Sequence, residues 1–215
     1  MSMIDKGEVG ADPTPVDGPS SREAILDAAE RLMAHHGYAD TSISAICKAS
    51  GLPVGSLYHH FGNKSGIFAA VLERGNGRFY GGLDAMVEAT AGPEERLRQY
   101  FDLAPELLMN NVAYFKILHS SLTGGDPGVL ERLEENNETV ARRLAAVIEP
   151  VVRAAGVADA AGLAFRLARF SAVYAAGAML TAGYVRERLI AEMAPLYGVV
   201  RAMITAAATA EHPKG

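Results

Sequence analysis

One cysteine, Cys47, in 215 residues excludes an intrachain disulfide and gives no sign of an oxidising compartment. Long apolar runs are also missing. The longest apolar window, from Phe170 to Val185, follows Arg166 and Arg169 and falls short of the ~20 residues that cross a bilayer. Near the start, Asp5, Glu8, Asp12 and Asp17 stand against Lys6 alone with no apolar run behind them, so no signal peptide is expected. The sequence has no G-x-S-x-G, no HExxH or ExxH and no cysteine signature, and its GGDPG at 124–128 lacks the lysine of a phosphate-binding loop. No catalytic centre, metal site or cofactor is therefore expected, and a helical enzyme or carrier is the least favoured reading. The chain reads as soluble and cytoplasmic, without a membrane partner.

Acids are absent from one stretch. The chain has a net charge of −5, yet from Thr41 to Ile67 there are two cations, Lys48 and Lys64, and no Asp or Glu. That segment is thus +2 and the remainder −7, so the surface as a whole does not invite nucleic acid but one patch does. The same stretch carries a pattern. Ser42 can cap a short helix with Ile43, Ile46 and Cys47 on its inner face. Gly51 can take the left-handed backbone that ends a helix, and Pro53 suits the first turn of the next, whose Leu57 packs back on Ile46. Helix, tight turn, helix over residues 42–61 is an arrangement whose second helix can enter a DNA major groove.

Chemistry assigns roles within it. The hydroxyls of Ser42, Ser56 and Tyr58, the His59 ring and Lys64 can donate to phosphate oxygens, with help from backbone N–H groups at the start of the second helix. Gly55 lets that helix lie close to the groove floor, Val54 can touch a thymine methyl, and Ser44 can reach a base edge or a phosphate. Tyr58 has a competing use in the core, but Leu57 and Phe61 suit that better. Adjacent His59 and His60 point in different directions on a helix and make a poor metal pair.

The run G-L-P-V-G-S-L-Y-H-H-F-G-N-K, Gly51 to Lys64, resembles the TetR family of bacterial transcription regulators. Gly51, Gly55, Leu57, Tyr58, Phe61 and Lys64 fall at the family's spacing, within a signature of roughly residues 21–72. The resemblance implies DNA contacts at Thr41, Ser42, Pro53 to Ser56, Tyr58, His59 and Lys64. It also implies an all-α fold with an N-terminal helix-turn-helix domain and a C-terminal helical domain for ligand binding and dimerisation. In place of the family's acid after that lysine stand Ser65 and Gly66, so the next helix is expected to lack its capping carboxylate.

The organisation expected from this is a disordered arm over 1–19, a DNA-binding head over 20–66 and a body over 67–215, with about nine helices. Ser20 to Glu23 is a capping box for the first helix, which ends at His36-Gly37; His35 and His36 there suit a helix end better than a metal or pH sensor. A fourth helix from Lys64 to about Ala89 contains Gly75, Gly77, Gly81 and Gly82. That number of glycines fits either a poorly stable helix or a hinge. A fifth helix, Pro93 to about Leu108, should kink at Pro105, a sixth spans Tyr114 to Leu122, and Asp126-Pro127 opens a seventh.

Tyr100, Met109, Tyr114, Phe115 and His119 are the ligand-pocket candidates, although such residues often only fill a core. The eighth helix, about Asp159 to Tyr184, and a last one, Arg188 to Ala210, carry Phe170, Tyr174, Ala176, Gly177, Leu196, Val200 and Met203 as dimer-interface candidates. Two such helices can build an intermolecular four-helix bundle or cover the body's own core; the family resemblance and the weak charge of one head favour a homodimer. The function expected is transcriptional regulation, with double-stranded operator DNA, a second copy and an unidentified small effector as partners. Control by a protein partner is the alternative.

Overall fold

The computed structural model describes residues 20–86, 92–122 and 127–211. The expected arm and the expected cap Asp126 lie outside the described residues. Among the described residues every regular element is an α-helix: α1 (Ser21–Asp40), α2 (Ile43–Ser50), α3 (Val54–Phe61), α4 (Lys64–Met86), α5 (Pro93–Asn110), α6 (Val112–Ser121), α7 (Pro127–Ala154), α8 (Ala160–Thr181), α9 (Arg186–Met193) and α10 (Leu196–Glu211). The final helix expected from sequence is two helices, because Pro195 cannot continue the ladder and starts α10, its carbonyl accepting from Val199 N–H.

Local chemistry accounts for the boundaries. Ser20 caps α1 by accepting from Glu23 N–H, Ser42 caps α2 through Ala45 N–H, and Asp159 caps α8 through Gly162 N–H. Gly37 interrupts α1 at φ 83°, and Gly51 ends α2 at φ 74°, both in backbone space that other residues avoid. α4 lacks a capping carboxylate, as expected, and an amide takes its place: Asn63 Oδ1 accepts from Gly66 N–H at 2.8 Å and from Ser65 Oγ at 2.7 Å. The chain also comes too close here for any side chain, since a Cβ on Gly66 would lie 2.1 Å from the Phe61 carbonyl oxygen. α7 runs past Pro150, where the sequence pattern had faded, because Val151 and Val152 anchor its last turn in the core.

α4 is one continuous helix, and its glycines divide in two. A Cβ on Gly75 would lie 2.3 Å from the Tyr114 ring and one on Gly82 would lie 2.9 Å from Leu107, whereas Gly77 and Gly81 meet nothing within 4 Å. Gly75 and Gly82 are thus close crossings with α6 and α5, a use that neither the weak-helix nor the hinge reading contained.

One apolar cluster runs from the head into the body. Ile25, Leu26, Met33, Ile46 and Leu57 share it with Phe68, Val71, Ile117, Ile148, Leu167 and Val200. Each such side chain removed from water contributes roughly 1.5–3 kcal/mol. Ion pairs clamp α1 to α4: Arg74 reaches Asp27 at 2.6 Å and also Glu30 and Glu23, and Arg78 holds Glu30 as well. α7 and α8 pack along each other, and α6 lies against α1, so the body is seated directly on the head.

Ala160–Thr181 and Arg186–Glu211 each have the length and apolarity of a membrane span. The first packs along α7, and the second is broken at Pro195 and carries Arg186, Arg188 and Arg201.

Candidate nucleic-acid interface and body cavity

α2 and α3 turn their apolar sides, Ile46 and Leu57, into the core, and this fixes what faces out. Ser42, Ser44, Lys48, Pro53, Val54, Gly55, Tyr58 and His59 are exposed, with Val54 at 50% and Tyr58 at 53%; Ser56 is half-buried. They form an acid-free surface across the α2–α3 turn. Gly55 has open space around its missing Cβ, so any demand for glycine there comes from outside the chain.

Two expected contacts need correcting. Thr41 is 1% exposed and its hydroxyl donates to the Gly37 carbonyl at 2.7 Å, so it closes the α1–α2 corner instead of reaching outward. Lys64 is half-buried: its ammonium donates to the Ala39 carbonyl at 3.1 Å and lies 4.2 Å from the centre of the Tyr38 ring. It ties the start of α4 to the end of α1.

The body contains a cavity of about 470 Å³ between α4, α5, α6, α7 and α8. Tyr100, Tyr114, Phe115 and His119 line it; Met109 does not, because it packs against the core beside them. Phe79, Tyr80 and Phe101 add further rings.

One corner is polar. Tyr114 Oη donates to Asn76 Oδ1 at 2.8 Å, Asn76 Nδ2 donates to Asn136 Oδ1 at 2.7 Å, and Asn136 Nδ2 donates back to Tyr114 Oη at 3.0 Å. Burial pushes the Tyr114 hydroxyl up to about 12, and raises Tyr80 and Tyr100 further; Tyr100 also bonds Asp84. His119 Nδ1 meets Tyr184 Oη at 2.7 Å, and desolvation lowers the ring's pKa. Ser171, buried on α8, has a hydroxyl with no hydrogen-bond partner.

Asn76, Asn136 and Ser171 were missed at the sequence level. The available signal was an amide on an apolar stripe: Asn136 lies in register with Leu133 and Val140 on α7.

The expected dimer face also needs correcting. Leu196 and Val200 are 1% and 0% exposed, because α10 turns them into its own body's core. Phe170, Gly177 and Met203 are exposed and Tyr174 and Ala176 half-buried, joined by Val173 at 73%, Leu180 and Val199.

Residues 25–71 match the sequence profile of the bacterial regulatory proteins of the tetR family. Over those residues the chain resembles the TetR family. The HTH-type transcriptional repressor ComR of Escherichia coli K12 is 45% identical over 58 residues, 27% of this chain and 28% of that protein. The chain thus matches under a third of that relative's length. The fold of the chain is similar over most of its length to two solved structures. The fatty acid degradation regulator FadR from Bacillus halodurans has a TM-score of 0.66 at 17% identity, covering 86% of this chain and 96% of that one. FadR from Bacillus subtilis, solved in complex with stearoyl-CoA, has a TM-score of 0.67 at 17% identity, covering 83% and 96%. At that identity the likeness is one of fold.

Proposed function

We propose that the protein is a DNA-binding transcriptional regulator, a cytoplasmic homodimeric repressor released from a near-palindromic operator by a small, largely apolar ligand. The observation that carries this is the acid-free, outward-facing α2–α3 surface on a head whose sequence matches the TetR profile. In this reading α3 enters the major groove. Val54 and Gly55 meet the base edges, while Ser42, Ser44, Ser56, Tyr58 and His59 meet phosphates and sugars, together with the start of α3 at Pro53. A single head is too weakly charged to bind tightly, so two act together, their recognition helices about 34–36 Å apart. The exposed apolar residues of α8 and α10, Phe170, Val173, Gly177, Leu180, Val199 and Met203, are the proposed seam.

The body cavity supports control by a small molecule over control by a protein partner, which would have no use for about 470 Å³ of lined space. The B. subtilis FadR structure, with stearoyl-CoA bound, supports the view that such a fold can hold a ligand with a long apolar chain. Asn76 and Tyr80 place α4 at the cavity, and the same helix starts at Lys64 in the head. A ligand that prefers one head spacing by ~1–3 kcal/mol changes operator affinity about 5–150-fold.

Selection from random duplexes at low salt tests the regulator reading; recovery of near-palindromic sites is expected, and no enriched duplex from folded, dimeric protein would refute it. On the selected site, Lys48→Ala, which removes the exposed cation of that surface, is expected to lower affinity for all sequences alike and to flatten the salt dependence by about one unit.

A further inference from the structure

We propose that the cavity takes an uncharged, ring-bearing molecule with one hydrogen-bond acceptor, and that the Asn76–Tyr114–Asn136 corner reads that acceptor. This rests on the reading of the body as a ligand site.

Charge comes first. Among the described residues lining the cavity there is no Asp, Glu or Lys, and the one Arg, Arg169, is exposed on α8. A full charge carried inward past Arg169 would lose its water and meet no opposite charge among these residues, at a cost of several kcal/mol. Shape comes second. Phe79, Tyr80, Tyr100, Phe101, Tyr114 and Phe115 present rings to the space, and ring pairs gain roughly 0.5–1.5 kcal/mol beyond the area they bury.

The polar corner supplies the third element. Each asparagine spends one N–H inside the triad, Asn76 on Asn136 and Asn136 on Tyr114, and each side-chain amide carries two. The second N–H of each is capacity that the protein does not consume, in residues that line the cavity and are themselves more than nine-tenths buried. A carbonyl or ether oxygen can take it. The corner is also held in place: the Tyr114 ring lies against Gly75, where no side chain fits, so α4 cannot slide along α6 without breaking the triad.

The test is calorimetric titration of the full chain with four probes. 2-Acetonaphthone has rings and a carbonyl, 2-ethylnaphthalene has the rings alone, 2-naphthoate is an anion of the same size, and stearoyl-CoA is a long-chain anion. The ketone is expected to bind about 5-fold or more tightly than the ethyl compound, in line with one net hydrogen bond, and the anions more weakly than the ketone. Asn76→Leu combined with Asn136→Leu should bring the ketone-to-ethyl ratio close to one. Should that variant fail to fold, Tyr114→Phe keeps the ring on Gly75 while removing the hydroxyl that holds the amides, and should shrink the same ratio. Equal binding of ketone and ethyl compound, tighter binding of either anion, or binding of none of the probes overturns the proposal. Operator binding by the same preparation, measured without probe, reports separately on the regulator reading.

Discussion

Gly75 and Gly77 lie two residues apart in α4, and alanine at the two positions is expected to move stability in opposite directions. At Gly75 the new Cβ would sit 2.3 Å from Tyr114 Cδ2 and 2.9 Å from Cγ. The ring cannot simply swing away, because its hydroxyl is engaged by Asn76 and Asn136. Overpacking costs ~1–3 kcal/mol, and the two weakened hydrogen bonds add about 1 kcal/mol each. The better helix propensity of alanine returns ~1 kcal/mol, leaving a net loss of roughly 2–4 kcal/mol. For a chain of this size that lowers Tm by about 4–16 °C. At Gly77 nothing lies within 4 Å, so only the propensity gain remains, about 0.5–1 kcal/mol and roughly 1–4 °C upward. Urea and thermal melts followed by far-UV circular dichroism measure both. A Gly75→Ala protein as stable as the wild type would mean that the Tyr114 ring is not pinned, and the account of the polar corner would fall with it.

Gly66→Ala should damage the head selectively, since its Cβ would meet the Phe61 carbonyl oxygen at 2.1 Å and backbone cannot yield as a side chain does; faster hydrogen exchange in α3 and loss of operator binding are expected, and unchanged exchange would refute the crossing. Val173→Glu on the exposed face of α8 should shift light scattering toward monomer with little change in melting, whereas Leu196→Ala should cost ~2–5 kcal/mol of stability; a dimeric Val173→Glu protein removes α8 from the seam. Alkaline pH should also be destabilising. The Tyr114 hydroxyl is held near 12 against ~10 in the unfolded chain, so the unfolded form releases its proton first as pH rises. Its contribution is complete below pH ~10 and declines by up to ~1.4 kcal/mol per pH unit until pH ~12. Tyr114→Phe should flatten that part of the curve, and an identical slope in the variant would show that the hydroxyl is not desolvated.

The head was legible from sequence because its information is local. Capping serines, the Gly51 elbow and the Ile46–Leu57 contact all lie within a few residues of the turns they make, and the positions of α2 and α3 follow from them. What escaped depended on partners far along the chain or on which of two bonds a group prefers. Thr41 looked like a DNA contact until Gly37 broke α1 and offered a nearer carbonyl. Leu196 and Val200 carried the right apolarity for a seam, but apolarity cannot say whether a helix turns a residue toward its own core or another chain's; Met203 on the same helix went the other way.

The glycines of α4 make the point most sharply. Their number was plain, yet Gly75 differs from Gly77 only because Tyr114, thirty-nine residues on, packs against one and not the other. The same tyrosine joins Asn76 to Asn136, so three residues that looked unremarkable one at a time form the polar group of an otherwise apolar cavity. That group bridges α4, which rises from the head, to α6, which lies against α1, so one tyrosine ties together two helices that both meet the head.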